Sequence, residues 1–390
     1  MVTLHPDFFK RRFFECDFTK FPAVFYLAVI FFISRIPFIN LGFSAFTSPT
    51  DQDVLAVVNS AYLLRYFDVY TVSRFPGYPV YEIINSLFIS GGWIATNTAT
   101  MIVSFICVLL FAKILNYFKI ENKAILVLTF AFIPVIWINS TVTIDYMWGL
   151  MFTLLAFHLL FKEKYNYSAI AISLAIGTRL TSLFMLIPLF YWILYQKKDI
   201  KTRYTFLVIT IIGSILLYSP VIYKYGFEFL NYYPREIAFN EALYGIITQL
   251  INIPTIILLL TALITTRKIP TGDNAYNLSL LIIFIYTLLY LYHPSKPAYL
   301  IPLVPWGLII LSKSFSRFIV VILCVMLMLN GIIYVDFQTV DTNDSFISIS
   351  DGSILKNYED RKLAALQSKE YLDSLKVLFE MDNGSQVESH

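Results

Sequence analysis

Charged side chains are scarce in this chain: 29 Lys and Arg and 26 Asp and Glu stand among 390 residues, 14% of the total. So few charges leave too little polar surface to cover a water-soluble globule of this size. Cysteine is scarcer still. Cys16, Cys107 and Cys324 are far apart and two of them lie in apolar runs, a spacing that offers neither a disulfide framework nor a set of metal thiolates and suits small buried hydrophobes. There is no Walker loop, no GxGxxG after a strand, no HExxH and no CxxC pair, so nothing points to nucleotide, nucleic acid, haem or zinc.

What the chain has instead is apolar length. Hydrophobic residues make up 58% of it, with 35 Phe, 27 Tyr and 5 Trp, and the mean hydropathy is +0.69. Lipid is the solvent such a chain requires, with Tyr and Trp suited to headgroup depth. The expected fold is an all-α polytopic membrane protein. At about 20 apolar residues per crossing, about eleven spans are predicted, near 21–43, 97–117, 123–139, 143–161, 167–178, 181–196, 204–222, 246–266, 278–292, 298–312 and 318–335. The first run follows a basic tail (Lys10, Arg11, Arg12, Lys20) but has no small-residue cleavage site, and it reads as a retained span rather than a signal peptide.

Orientation follows from the connections, because Lys and Arg accumulate on the cytoplasmic side. With the N-terminus inside, the inner loops carry Lys113, Lys119 and Lys123; Lys162 and Lys164; Lys197, Lys198, Lys201 and Arg203; Arg267 and Lys268; Lys313 and Arg317. Counting Pro79 to Gly92 as a further crossing would flip every later basic loop, so that segment is expected to lie along the outer surface as an interfacial helix. Residues 44–96 then form one long outer loop, with amphipathic stretches Val54–Phe67 and Pro79–Leu87 around a turn-rich Ser73–Pro79. A second outer loop spans 223–245. Residues 1–335 thus make a transmembrane domain, and 336–390 a short polar tail on the outer side, with a helical pattern near Tyr358–Phe379 that would pack on the outer loops as a small cap.

Ionisable groups collect at this outer face, and their desolvation cost makes such a cluster a mark of a functional cavity. Asp51 and Asp53 sit in Ser48-Pro-Thr-Asp-Gln-Asp53 just after the first span. A carboxylate there can take a proton from an acceptor hydroxyl, or the pair can hold a divalent cation; equally, Asp51 can simply cap the helix that starts near Gln52. Arg74, Asp145 and Arg235 lie on the same face. Arg179 interrupts an apolar run at Gly177-Thr-Arg-Leu, where it reads as a bidentate donor to a lipid-linked phosphate, or else as an interfacial anchor or a partner of Asp145. Lys296, in His293-Pro-Ser-Lys-Pro-Ala-Tyr299, can neutralise a second phosphate oxygen or merely snorkel, and His293 suits a satisfied interfacial histidine better than a catalyst. Arg35, near the outer end of the first span, is expected to snorkel rather than to pair with a loop carboxylate.

Several of these segments together resemble the GT-C superfamily of integral-membrane glycosyltransferases, in particular its protein O-mannosyltransferase-like and lipid A aminoarabinose transferase-like branches. The resemblance runs over roughly residues 21–312. It rests on one span followed by the acidic Thr50-Asp-Gln-Asp53, then on Arg74-Phe-Pro-Gly-Tyr78-Pro-Val-Tyr81 leading an interfacial helix, on the short helix pair around Gly177-Thr-Arg179, and on Lys296-Pro-Ala-Tyr-Leu-Ile-Pro-Leu-Val-Pro305. Many members carry adjacent acidic residues where this chain has Asp-Gln-Asp, so the motif does not decide between the two aspartates. The resemblance implies a sugar donor carried on polyprenyl phosphate in the outer leaflet and a lipid, glycan or protein acceptor. It implies Asp51 or Asp53 as general base in an inverting transfer, Arg179 and Lys296 on the departing phosphate, and Arg74, Tyr78, Asp145, Arg235, His293 and Tyr299 as further substrate contacts. A transporter or flippase of a lipid-linked glycan, or a glycan polymerase or ligase, would share a cationic outer cavity. Paired broken helices at the midplane and arginine-rich outer loops, their respective marks, are not visible in the sequence.

Overall fold

Proline and glycine divide the apolar runs into the elements seen in a computed structural model of the chain. It describes residues 17–43, 52–230, 251–265, 272–292, 296–337 and 347–351, with shorter stretches between 239 and 247, at 270 and between 353 and 375. The helices are α1 (Ala23–Ile39), α2 (Gln52–Phe67), α3 (Pro79–Phe88), α4 (Gly92–Tyr117), α5 (Lys123–Phe132), α6 (Pro134–Asn139), α7 (Tyr146–Phe161), α8 (Tyr165–Thr178), α9 (Leu186–Tyr195), α10 (Ile200–Tyr225), α11 (Ile253–Thr265), α12 (Asn274–Tyr292), α13 (Val304–Ser314) and α14 (Arg317–Leu329). Turns of 3-10 helix join α3 to α4 (Ile89–Gly91), precede α9 (Leu180–Met185) and precede α13 (Pro297–Leu303).

Among the described residues four helical runs are long and apolar enough to cross a membrane: Pro79–Tyr117, Ile200–Tyr225, Asn274–Tyr292 and Pro297–Ser314; six shorter apolar helices accompany them. Their outward faces are apolar, as in α10, where Ile211, Ile212, Ile215 and Leu216 are all more than half exposed. A continuous exposed stripe of this kind suits lipid and not water. The segment expected to lie on the surface, α3, is helical and two-faced: Val80, Tyr81 and Glu82 are buried while Ile83 and Leu87 are exposed. It meets α4 at Gly92, whose φ of 62° only glycine adopts without cost.

Two expectations need correction. The last span does not reach 335, because α14 stops at Leu329 and the chain then pairs as an antiparallel hairpin, Ile333–Phe337 (β1) with Ile347–Asp351 (β2), Val335 facing Ile349. The all-helical class stands, with this one hairpin added after the last helix. Arg35 does not snorkel either. It is fully buried, its Nε bonded to Ser140 Oγ at 2.7 Å and its Nη2 to the carbonyl of Ala131, with its guanidinium 3.7 Å from the Phe31 ring and 4.6 Å from that of Trp137. The cause is Pro134, which lacks an N–H and so ends α5 and frees carbonyls that a buried donor must satisfy.

Small residues decide how closely the helices approach. α8 carries Ser168, Ala169, Ala171, Ser173, Ala175 and Gly177 along its buried side, and small residues are what allow backbones to come together in lipid. Ser168 Oγ donates to the Ala156 carbonyl of α7 at 2.8 Å, and Ser173 Oγ to the Thr210 carbonyl of α10 at 3.1 Å. At Gly177 a Cβ would stand 2.6 Å from Val80 of α3. That contact sets the end of α8, and hence Arg179, beside the turn that precedes α3.

Candidate functional site

Asp145 immediately precedes α7 and is fully buried. Its Oδ1 accepts from Arg74 Nη2 at 2.7 Å and its Oδ2 from Arg179 Nη1. The other side of the Arg74 guanidinium, at Nε, is 3.9 Å from Asp53 Oδ1, and Asp53 Oδ2 accepts from Lys296 Nζ at 3.1 Å. Five charged groups thus form one alternating chain, Arg179–Asp145–Arg74–Asp53–Lys296. Arg74 is its centre, and its Nη1 is buried with no hydrogen-bond partner among the described residues. An orphaned buried guanidinium N–H is costly, and it marks a donor available to a polar group entering the cluster.

Each member is held by local structure. Arg74 stands in a turn closed by Gly77 N–H donating to its carbonyl at 2.7 Å, and Gly77 has a φ of 91°, in the left-handed region that favours glycine. The strand of chain leading into that turn is fixed by Glu82, one turn into α3. Its Oε1 accepts from the Ser73 N–H at 2.7 Å and from Ser73 Oγ at 2.6 Å, and its Oε2 from Tyr70 OH at 2.6 Å. Lys224 of α10 adds a bond to the Tyr70 carbonyl at 2.6 Å. Arg179 ends α8 in extended geometry (φ −150°, ψ 117°) and crosses Gly149 of α7. Asp53 lies in the first turn of α2, and Lys296 leads into the 3-10 turn before α13.

Tyrosines surround the guanidiniums. Arg74 sits 4.1 Å from the Tyr78 ring, and Arg179 sits 4.3 Å from Tyr146 and 5.0 Å from Tyr299. Such stacking gains strength away from water. Burial works against the charge on Arg74, but Tyr78, Asp145 and Asp53 outweigh it and hold its pKa above the ordinary value. Burial pushes the Tyr78 phenol up to about 12, with Arg74 pulling the other way. Burial and the neighbouring Glu82 carboxylate also raise Tyr70, which therefore remains a donor.

Arg179 also lines a cavity of about 390 Å³ together with Leu180, Leu183, Phe184 and Leu289, with Tyr286, Tyr290 and Tyr299 on its walls. It is a largely apolar groove with Arg179 in its wall.

Of the residues singled out in the sequence, Asp53, Arg74, Tyr78, Asp145, Arg179, Lys296 and Tyr299 come together here. Asp51, Arg235 and His293 lie outside the described residues. Arg179 is a partner of Asp145, one of its two readings, and it also lines the groove. Lys296 neither snorkels nor joins Arg179 directly; it holds Asp53. Sequence reasoning missed Tyr146, Tyr286 and Tyr290 and the positioning role of Glu82. The last was legible as a carboxylate set among apolar residues one turn after Tyr78; the tyrosines were lost among 27 of their kind. Among the described residues no cluster of three or more His, Cys, Asp or Glu side chains forms. A divalent cation at Asp53 would have to displace both Arg74 and Lys296.

Comparison with protein-family models, with curated proteins and with solved structures finds no match. The meaning of the site therefore has to come from its own geometry.

Proposed function

We propose that this chain is a multi-pass membrane glycosyltransferase of GT-C type that moves a sugar from a polyprenyl-phosphate carrier to a hydroxyl on a lipid, glycan or protein acceptor. The observation that carries the reading is the junction of two unlike surfaces: a chain of three cations and two carboxylates among the described residues opening, through Arg179, onto an apolar tyrosine-walled groove. A phosphate needs preplaced cations and a prenyl tail needs apolar wall, and a ligand requiring both in sequence is a lipid-linked phosphate.

In this reading Asp145 is a positioning residue that holds Arg74 and Arg179 at a fixed separation, one on each oxygen. Asp53 is the base among the described residues. Lys296 Nζ holds its Oδ2 at 3.1 Å, while its Oδ1 lies 3.9 Å from Arg74 Nε. The acceptor oxygen attacks the anomeric carbon as Asp53 takes its proton, and the bond from that carbon to the phosphate oxygen breaks on the opposite face. The electron pair leaves with the polyprenyl phosphate, whose growing charge is met by Arg179 and by Nη1 of Arg74, which has no hydrogen-bond partner among the described residues. The topology that goes with it is about eleven spans with the N-terminus cytoplasmic and the site at the opposite face.

The test is binding and turnover by the full chain in nanodiscs. Decaprenyl phosphate should bind, and Arg179→Lys should weaken it because a point charge cannot replace two parallel N–H donors. Asp53→Asn should keep binding but lose transfer from decaprenyl-phosphate-linked sugar to membrane acceptors. Full turnover by Asp53→Asn, or no affinity for any long-chain prenyl phosphate, would remove the reading. Movement of the lipid-linked sugar across vesicles without transfer would favour a flippase in its place.

A further inference from the structure

Asp145 can order two guanidiniums only if the segment that carries it is itself fixed, and that segment has no regular structure. Residues 140–145, between α6 and α7, are all buried, with Ser140, Thr141, Thr143 and Asp145 at 0% exposure. Buried backbone outside helices must find its hydrogen-bond partners elsewhere. Thr143 finds them on its neighbours: its N–H donates to the Phe43 carbonyl at 3.1 Å, and its hydroxyl donates to Asn97 Oδ1 at 3.0 Å and lies 2.6 Å from that of Thr96. Ser140 is met by Arg35. Thr141 is met by a residue 220 positions away. Arg361 Nη1 donates to Thr141 Oγ1 at 2.9 Å, and its Nη2 donates to the Thr141 carbonyl at 2.8 Å and to the Phe38 carbonyl, at the end of α1, at 3.0 Å.

Arg361 is fully buried, and these three bonds go to carbonyl and hydroxyl oxygens. A buried guanidinium placed on neutral acceptors stabilises little by charge pairing; what it supplies is several donors in a rigid plane. It arrives on a segment docked at two further points. The helical residues 353–359 begin with Ser353 and Ile354 N–H groups on the Asn330 and Gly331 carbonyls at 3.3 and 3.0 Å, and Tyr358 stacks edge-on to Phe38 at 5.3 Å. Gly331 is glycine for a local reason, since a Cβ there would stand 2.4 Å from Ile354.

We infer that the C-terminal segment is a working part of the site and that Arg361 is a positioning residue, clamping the Ser140–Asp145 segment to the end of α1 so that Asp145 meets Arg74 and Arg179 in register. The clamp itself stands on the contacts alone; its consequence for ligand binding rests on the donor reading above.

The experiment follows hydrogen–deuterium exchange of peptides covering 139–148 in the full chain in nanodiscs, alongside decaprenyl phosphate binding. Arg361→Met should speed exchange there and weaken binding, each by about tenfold or more, the scale of one lost charge-assisted hydrogen bond. Exchange in the middle of α4 should not change. Arg361→Lys should restore part of both. Should Arg361→Met fail to fold, Thr141→Val decides: it removes one acceptor at constant volume and should give a smaller rise in the same peptides. Unchanged exchange over 139–148 in either folded variant overturns the clamp, and faster exchange with undiminished binding overturns its positioning role. A wild type that binds no decaprenyl phosphate counts against the donor reading alone, because the exchange result still judges the clamp.

Discussion

Arg179 runs over the bare backbone of Gly149, its Cδ only 3.2 Å from where a Cβ on that glycine would stand. The glycine lies in the first turn of α7, four residues after Asp145, so the helix that presents the carboxylate also leaves the space through which its partner reaches it. Gly149→Ala should be tolerated in stability, because the tight contact is offset by the helix propensity gained, about 0.5–1 kcal/mol. Gly149→Val should push Arg179 away from Asp145 and weaken decaprenyl phosphate binding by about tenfold, ~1.4 kcal/mol. Equal binding by the Val variant would mean that the Arg179 path is not needed.

Asp145→Asn should be among the most damaging single changes in the chain. It leaves two buried guanidiniums without their shared anion, and breaking a buried pair of this kind costs about 3–5 kcal/mol. Thermal unfolding in detergent reads the loss. The double change Asp145→Asn with Arg179→Gln should recover part of it, since one uncompensated charge is then removed; a double variant less stable than either single would contradict the pairing.

Glu82→Gln keeps the shape of the side chain but presents an amide to three donors. One oxygen can no longer accept, and losing charge-assisted bonds to Ser73 and Tyr70 should cost about 1.5–3 kcal/mol. Because those bonds fix the turn that carries Arg74, ligand affinity should fall together with stability. A melting shift with unaltered affinity would limit Glu82 to a structural part.

A reporter active only in the cytoplasm, fused after Ser385, should be silent. Two arguments meet here. The proposed topology has the N-terminus inside with an odd number of spans to follow, and Arg361 ties the C-terminal segment to the Asp145 segment itself. A strong cytoplasmic signal would reverse the whole topology.

Where the helices lie was readable from the chain alone. Apolar runs and the basic connections mark their limits, and most of the predicted segments match described helices to within a few residues, although the run 123–139 hid the break at Pro134. The acidic loop, Arg74, Asp145, Arg179 and Lys296 were also recognisable, because a charge in an apolar setting is conspicuous in one dimension. Apart from Arg179 with Asp145, their pairing was not. Arg74 meets Asp145 across 71 positions, Lys296 meets Asp53 across 243, and Arg361 meets Thr141 across 220. Such contacts depend on how closely α8 approaches α3 at Gly177 and where Pro134 opens a helix to outside donors. Hydropathy records which residues leave water; which polar groups then satisfy one another is decided only when the helices pack, since a buried donor takes whatever acceptor the fold brings within reach.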